Sequence, residues 1–310
     1  MTRTAAAIAL AGALCFAGQS RAAVARQGQV VMGTVLSVIV VAGDSTTAEA
    51  AASAAIDEAR RWDDALTIWR PDGELASLNA HAGLGPFAVG PRLAKGLAEM
   101  LKLCAQTGGA FEPATGSLPI TGQGSSRLRG IREVLALEGE FPSRTDARHA
   151  TLDKGSILDP GAIGKGLAID AMIAALQARG IESAFVDFGG SSQTGLGTAP
   201  GNTEGWTVLV SALSSGTAAG TVHLRDSSIS TSRSAAKDTR PIFDPRSARP
   251  VPPQRLVTVR TADATSADAW STAMVVRGRD GLADASRRGV AVLIEDGEGR
   301  VVSPEFGLIP

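Results

Sequence analysis

Residues 30–41 are dominated by β-branched apolar side chains, broken once by Gly33, and predict a strand. Thr46 with Glu49 has the spacing of a capping box and opens an Ala-rich helix reaching about Leu66. Residues 66–70 read as a short strand before the turn Pro71-Asp72-Gly73. Leu93, Leu97, Met100, Leu101 and Cys104 recur at helical spacing, and Gly108-Gly109 ends that helix. Residues 119–155 are polar and partly Gly/Ser-rich, which predicts loops with one helix near 128–137. A helix over 167–179 ends at Gly180, and a strand over 184–188 runs into Gly189-Gly190. Further strands are expected at 206–210, 220–224, 228–231 and 256–260, and helices at 268–276 and 281–287. A closing hairpin pairs 291–295 with 300–302 about Asp296-Gly297. No repeat or long linker interrupts this order. It predicts one α/β domain of mixed topology, at most two-lobed.

The first 25 residues have a different pattern. Arg3 precedes a short, uncharged, Ala-rich run over 5–18, and Ala23-Val24-Ala25 offers a cleavage site before Arg26. This predicts a signal peptide over 1–25, a domain over 26–310, and a periplasmic protein. The apolar run is too short for a comfortable membrane span, so no stable membrane insertion is expected. Cys15 invites a lipoprotein reading, but Leu14 before it and Gly12 three before it invert the pattern that a lipobox requires. The remaining cysteine, Cys104, leaves no internal disulfide and sits on an apolar helical face, as a buried inert thiol does.

Lys plus Arg number 30 against 31 Asp plus Glu, so there is no electrostatic case for nucleic acid. Tyrosine is absent and aromatics are 4%, which makes Trp62, Trp69, Trp206 and Trp270 conspicuous.

Two segments concentrate the chemistry. Residues 159–170 read Asp-Pro-Gly-Ala-Ile-Gly-Lys-Gly-Leu-Ala-Ile-Asp, and residues 266–274 read Ser-Ala-Asp-Ala-Trp-Ser-Thr-Ala-Met. Each sets an acid beside a turn-to-helix transition. The glycines of the first permit close backbone approach to a bulky ligand. In the second, Asp268 and Thr272 share one face of a helix. Carboxylate, hydroxyl and backbone oxygen form the ligand set of a hard cation such as Mg²⁺. A glycine turn beside it suggests a phosphate-bearing ligand. Either segment alone reads equally well as a capped helix. The order Gly161-x-x-Gly164-x-Gly166 does not match the Rossmann fingerprint.

The order of motifs decides more than any one of them. Along the chain stand Met32-Gly33-Thr34, then Leu66-Thr67-Ile68-Trp69-Arg70-Pro71-Asp72-Gly73-Glu74-Leu75-Ala76-Ser77-Leu78-Asn79, then Thr107-Gly108-Gly109-Ala110-Phe111-Glu112-Pro113-Ala114-Thr115-Gly116-Ser117-Leu118. The 159–170 segment follows, with Phe188-Gly189-Gly190, Ser230-Thr231-Ser232, Asp244-Pro245-Arg246-Ser247 and Ala267-Asp268-Ala269-Trp270-Ser271-Thr272. This series, from about 30 to 278, resembles the ApbE family of FAD:protein FMN transferases. The resemblance implies a T-fold-like α/β architecture and a Mg²⁺-dependent transfer of FMN from FAD to a Ser or Thr hydroxyl of an exported flavoprotein, with AMP released. Some members instead hydrolyse FAD to FMN and AMP.

Residue by residue, the resemblance implies FAD contacts for Met32, Trp69, Ala110, Phe111, Glu112, Asp159 and Lys165. It implies metal ligation by Asp268, Ser271, Thr272 and the backbone oxygen of Ala162. The chain also departs from the family. Glu112 stands for the usual Asp, and Ser271 stands where some members carry Asp. Pro241 occupies the place, three residues before Asp244-Pro245-Arg246, where the family often has His. Proline neither accepts a proton nor donates from its backbone nitrogen. Lys165 is expected to neutralise phosphate or to pair with Asp170. Asp72 and Asp244 read as turn-formers, and His81, His149 and His223 as surface residues. Two other readings stay open: an FAD-binding homologue without transfer activity, and an FAD pyrophosphatase.

Overall fold

The computed structural model describes residues 22–116, 131–136, 148–214, 216–234 and 241–310, with the backbone alone over 131–136. Most of the leader reading and part of the segment expected to hold a helix at 128–137 therefore lie outside the described residues.

The elements run in chain order as β1 (Ala23–Val31), β2 (Thr34–Ala42), α1 (Ser45–Leu66), α2 (Glu74–Ala80), β3 (Phe87–Val89), α3 (Pro91–Gln106), β4 (Ile131–Ala136) and β5 (Arg148–Leu152). They continue as α4 (Gly164–Gln177), β6 (Ser183–Phe188), β7 (Ser192–Leu196), β8 (Trp206–Ser211), β9 (Ala218–Leu224), β10 (Ser227–Ser234), β11 (Phe243–Asp244) and β12 (Arg249–Pro250). The last are β13 (Arg255–Thr261), α5 (Ala264–Arg277), α6 (Leu282–Arg287), β14 (Ala291–Asp296) and β15 (Gly299–Val302).

An eight-stranded sheet in the order β1-β2-β6-β7-β10-β13-β14-β15 forms the frame, and every neighbouring pair is antiparallel. Alternation along β2 turns Leu36, Val38 and Val40 inward, all fully buried. They join one core with the alanine face of α1 (Ala48, Ala52, Ala55, Ala59) and with Leu167, Ile169 and Met172 of α4. α1 packs on α4, α4 on α5, and α5 on β10 and β13. Elsewhere the β8–β9 hairpin covers the sheet, building a second cluster from Val208, Val222, Leu224, Leu293 and Phe306. A small sheet, β3-β5-β4, stands apart. Among the described residues, no helix is long and apolar enough to cross a membrane.

Several local expectations change. The run over 30–41 is not one strand but the end of a hairpin, because Met32 (φ 50°) and Gly33 (φ 71°) both take the left-handed conformation of a two-residue turn. β1 begins at Ala23, with Ala23, Val24 and Ala25 paired to Ala42, Val41 and Val40. The cap of α1 is Asp44, whose carboxylate accepts from Thr47 N at 2.8 Å, and not Thr46. Residues 66–70 form no strand. Thr67 N still closes on Asp63 O at 2.9 Å, and the following residues find no ladder partner. The stretch expected as helix near 128–137 contains strand β4, because β5 offers it an edge.

Candidate active site

A cavity of about 590 Å³ opens where the β1–β2 turn, the end of α1 and the start of α4 meet. That size is ordinary for a small-ligand site, roughly 300–1,000 Å³. Met32 and Gly33 line it from the turn, Asp63 and Leu66 from α1, Thr67 to Arg70 from the loop, and Asp159, Pro160, Gly161, Gly164 and Lys165 from the approach to α4. Asp63 Oδ2 accepts from Met32 N at 3.3 Å and ties the turn to α1. Asp159 Oδ1 accepts from Gly161 N at 2.8 Å, which shapes the chain just before the helix. The N-cap Ile163 offers α4 no side-chain acceptor, and Gly164 and Lys165 of the first turn line the cavity. This wall suits an anionic ligand. Trp69 is 71% exposed on the cavity rim, so it is not a half-buried core aromatic.

A second cavity of about 490 Å³ lies on the other side of α4, beside Lys95, Lys102, Asp170 and Asp263. It shares no lining residue with the first and is the more acidic, with Glu99, Asp170, Asp226 and Asp263 against Lys95 and Lys102.

Directly behind the α4 wall sits Asp268, 3% exposed. Its Oδ2 accepts from Gly166 N at 3.0 Å, and its Oδ1 accepts from Ser230 Oγ at 2.8 Å and Ser192 Oγ at 3.0 Å. Lys165 Nζ lies 3.6 Å from Oδ1. The close passage of α4 over α5 makes this possible: a Cβ on Gly166 would come within 2.4 Å of Ala264 O. Asp170 completes the clasp. Its carboxylate accepts from Ala264 N at 2.8 Å and Thr265 N at 2.9 Å, capping α5 from a neighbouring helix. Lys165 therefore pairs with Asp268, and Asp170 is spent on the helix start. Burial raises the Asp170 carboxyl above its ordinary value, with the hydrogen bonds from Thr265 and Ala264 working against the shift.

One turn further along α5, Ser232 Oγ lies 2.7 Å from Ser271 Oγ and 3.2 Å from Thr272 Oγ1. Ser271 is fully buried, and its hydroxyl also donates to Asp268 O at 2.8 Å. Asp268, Ser271 and Thr272 are thus gathered on the side of α5 that faces β10. Among the described residues, no three His, Cys, Asp or Glu side chains cluster as a metal site. The available donors are one carboxylate and several neutral oxygens. Such a set fits a hard divalent cation that completes its shell with water and ligand phosphate.

The Ala110-Phe111-Glu112 run is placed differently. Ala110 and Phe111 are buried in the main core, and Phe111 N donates to Thr107 Oγ1 at 3.1 Å. Glu112 accepts from Ala114 N at 2.9 Å and from Cys104 Sγ at 3.6 Å. None of the three lines the cavity, although Pro113 O receives Asp159 N at 2.8 Å and so links the run to its wall. Burial, followed by the Glu112 charge, pushes the Cys104 thiol up to about 12. Asp244 is a turn residue, accepting from Arg246 N at 2.9 Å. Burial opposes its ionisation, but the Arg246 hydrogen bonds outweigh it and hold the carboxyl below its usual value. The three histidines are half-buried instead of fully exposed, and none lines the cavity. Ser192 and Asp63 went unmarked in the sequence, and Ser230 stood in a motif without an assigned role.

The ApbE family model matches residues 32–294. An FAD:protein FMN transferase of Treponema pallidum (strain Nichols) is 34% identical over 142 residues, covering 41% of this chain and 39% of that protein. One of Rhodobacter capsulatus is 32% identical over 235 residues, covering 68% and 43%. One of Escherichia coli (strain K12) is 26% identical over 278 residues, covering 79% and 77%. The alignments thus span about two-fifths of the length of the first two relatives. Among solved structures, the apo form of Pseudomonas stutzeri flavinyl transferase ApbE superposes with a TM-score of 0.74 at 25% identity, over 91% of this chain and 94% of that one. The ApbE protein of Thermotoga maritima gives 0.74 at 22% identity, over 92% and 98%, and supports the fold.

Proposed function

Since this chain belongs to the ApbE family, we propose that it is an FAD:protein FMN transferase that binds FAD in the 590 Å³ cavity and passes FMN to a Ser or Thr hydroxyl of an exported flavoprotein. The observation that carries this reading is the first turn of α4 with Lys165 at one cavity wall, and the buried Asp268 lying 3.6 Å from the Lys165 ammonium behind it. In the proposed step, the acceptor oxygen bonds to the FMN phosphorus while the bond from that phosphorus to the bridging oxygen breaks. AMP leaves with the bridging oxygen, and the hydroxyl proton passes to solvent. Lys165 balances phosphate charge, and the helix start adds its dipole. Trp69 offers the flavin an exposed aromatic face. Mg²⁺, when held by Asp268, Thr272 and the Ala162 backbone oxygen, would supply Lewis-acid neutralisation of the phosphoryl oxygens. Residues 1–25 support export to the periplasm as part of the same proposal.

Pro241 favours a second reading, in which FAD is bound without transfer. No histidine lines the cavity among the described residues, so any proton acceptor of that kind would have to come from elsewhere. The deciding experiment incubates the protein with FAD, Mg²⁺ and a candidate flavoprotein. Acid-stable flavin fluorescence on the acceptor with stoichiometric AMP supports transfer. AMP and FMN without label on the acceptor point to hydrolysis. FAD binding with no AMP at any pH leaves only the binding homologue.

A further inference from the structure

We propose that Ser192 and Ser230 are positioning residues for Asp268, forming a two-hydroxyl relay that satisfies this carboxylate both before and after a cation binds; this rests on the metal reading of the site given above. The two serines face each other across the β7–β10 ladder as register partners. Each is 1% exposed, and both lie directly under Asp268 of α5. The next pair on the same face of the ladder, Thr194 and Ser228, hydrogen-bond to each other at 2.7 Å and leave Asp268 alone.

A carboxylate this deeply buried is costly unless it is paired and hydrogen-bonded. The nearest cation, Lys165, is 3.6 Å away and partly exposed, and it is needed for phosphate. The serines therefore carry much of the task. Each hydroxyl has a single proton, and both point at Oδ1, at 2.8 and 3.0 Å. Oδ1 is then fully engaged and closed to a cation. The two seryl oxygens are themselves 3.2 Å apart. When a cation claims a lone pair of Oδ1, Ser192 can turn its proton onto Ser230 Oγ while Ser230 keeps its bond to Asp268. Neither hydroxyl is stranded in either state, and Oδ1 is released without moving the helix. Gly166 N holds Oδ2 throughout.

The test uses Ser192→Ala, Ser230→Ala and the near-isosteric Ser192→Cys and Ser230→Cys, whose thiols are weak donors and preserve packing. Ser230→Thr is the conservative rescue. Mn²⁺ binding is followed by the paramagnetic resonance of the free ion, with saturating FAD and no acceptor. Melting temperature is recorded without metal, and turnover is titrated with Mg²⁺. Ser230→Ala and Ser230→Cys, which lose the bond that Asp268 keeps in both states, are expected to bind Mn²⁺ about tenfold or more weakly, whereas Ser192→Ala and Ser192→Cys, which remove the donor that must turn away, should bind it no more weakly than wild type. Ser230→Thr should recover the affinity. Unchanged Mn²⁺ affinity in Ser230→Cys, or weaker binding in Ser192→Cys, whatever happens to melting, overturns the positioning role and leaves the metal reading intact. Wild-type protein that binds no Mn²⁺ overturns the metal reading itself, and this inference with it.

Discussion

Gly166→Ala is the sharpest probe of the frame on which the site depends. The residue is helical with a negative φ, so alanine meets no backbone strain there. The obstacle is steric and made of backbone. The new Cβ would stand 2.4 Å from Ala264 O and 2.6 Å from Thr265 Cα. The first of these falls 1.0 Å short of the 3.4 Å at which ordinary contact begins. No side chain can swing away, so α4 and α5 must separate by about that amount. Overpacking of this kind costs roughly 1–3 kcal/mol. Alanine returns up to about 1 kcal/mol of helix propensity. A net loss of about 1–2 kcal/mol lowers the melting temperature by roughly 2–6 °C in a chain of this size. The same shift draws Gly166 N away from Asp268 Oδ2 and the Asp170 carboxylate away from the α5 start, so metal affinity should fall with stability. Scanning calorimetry without metal measures the first effect and Mn²⁺ titration the second. Gly164→Ala is the control, because its nearest contact is Leu66 Cδ1 at an unstrained 3.5 Å. A Gly166→Ala protein that melts at or above wild type would refute the close-passage argument.

Other outcomes follow from the same geometry. Asp268→Asn should cut turnover at limiting Mg²⁺ by about 10²-fold or more. Because this carboxylate is buried under three donors beside Lys165 and not solvent-accessible, the variant should also melt lower; unchanged turnover would remove Asp268 from the metal site. Trp69→Ala should leave stability within about 0.5 kcal/mol but weaken FAD by roughly threefold to tenfold, the worth of one aromatic contact; calorimetric titration with FAD decides, and equal affinity would exclude stacking there. Cys104, with its thiol pushed from the usual 9.0 up to about 12, should react with iodoacetamide at pH 8 at least roughly thirtyfold more slowly in the native than in the unfolded protein, the loss of thiolate outweighing its greater nucleophilicity. Equal rates would show that the thiol is not so protected. For Asp170, raised by burial, the folded state holds its proton more tightly than the unfolded one. Its contribution to stability is therefore complete below the ordinary 3.8 and is lost as pH rises through the raised value; Asp170→Asn should flatten that part of a melting-versus-pH curve, and an unaltered curve would count against the shift.

Much of this protein was legible in one dimension. Apolar periodicity is a local property, so the 93–104 spacing found α3, and the apolar runs near 184–188, 206–210 and 256–260 found β6, β8 and β13. The ordered series of short motifs pointed to the ApbE family, because a site assembled from many segments leaves a trace in each. Asp268 and Lys165 were singled out from residue type, and the structure sets them 3.6 Å apart.

The remainder depended on who stands next to whom. The β1–β2 hairpin, the loop that replaced the strand at 66–70 and strand β4 were decided by the presence or absence of a pairing edge, which no window of sequence contains. Lys165 could have met Asp170 or Asp268 on charge alone; the passage of α4 over α5 at Gly166 chose Asp268 and gave Asp170 to the helix start. Ser192 and Ser230 show the limit most clearly. Serine is common and nearly silent as a signal, and these two lie 38 residues apart. Only the antiparallel register of β7 and β10 turns them into a pair, and only the helix laid across that pair gives it a carboxylate to hold. Residue type fixes what a side chain can do, whereas burial and register, which are collective outcomes of packing, fix which other groups it meets.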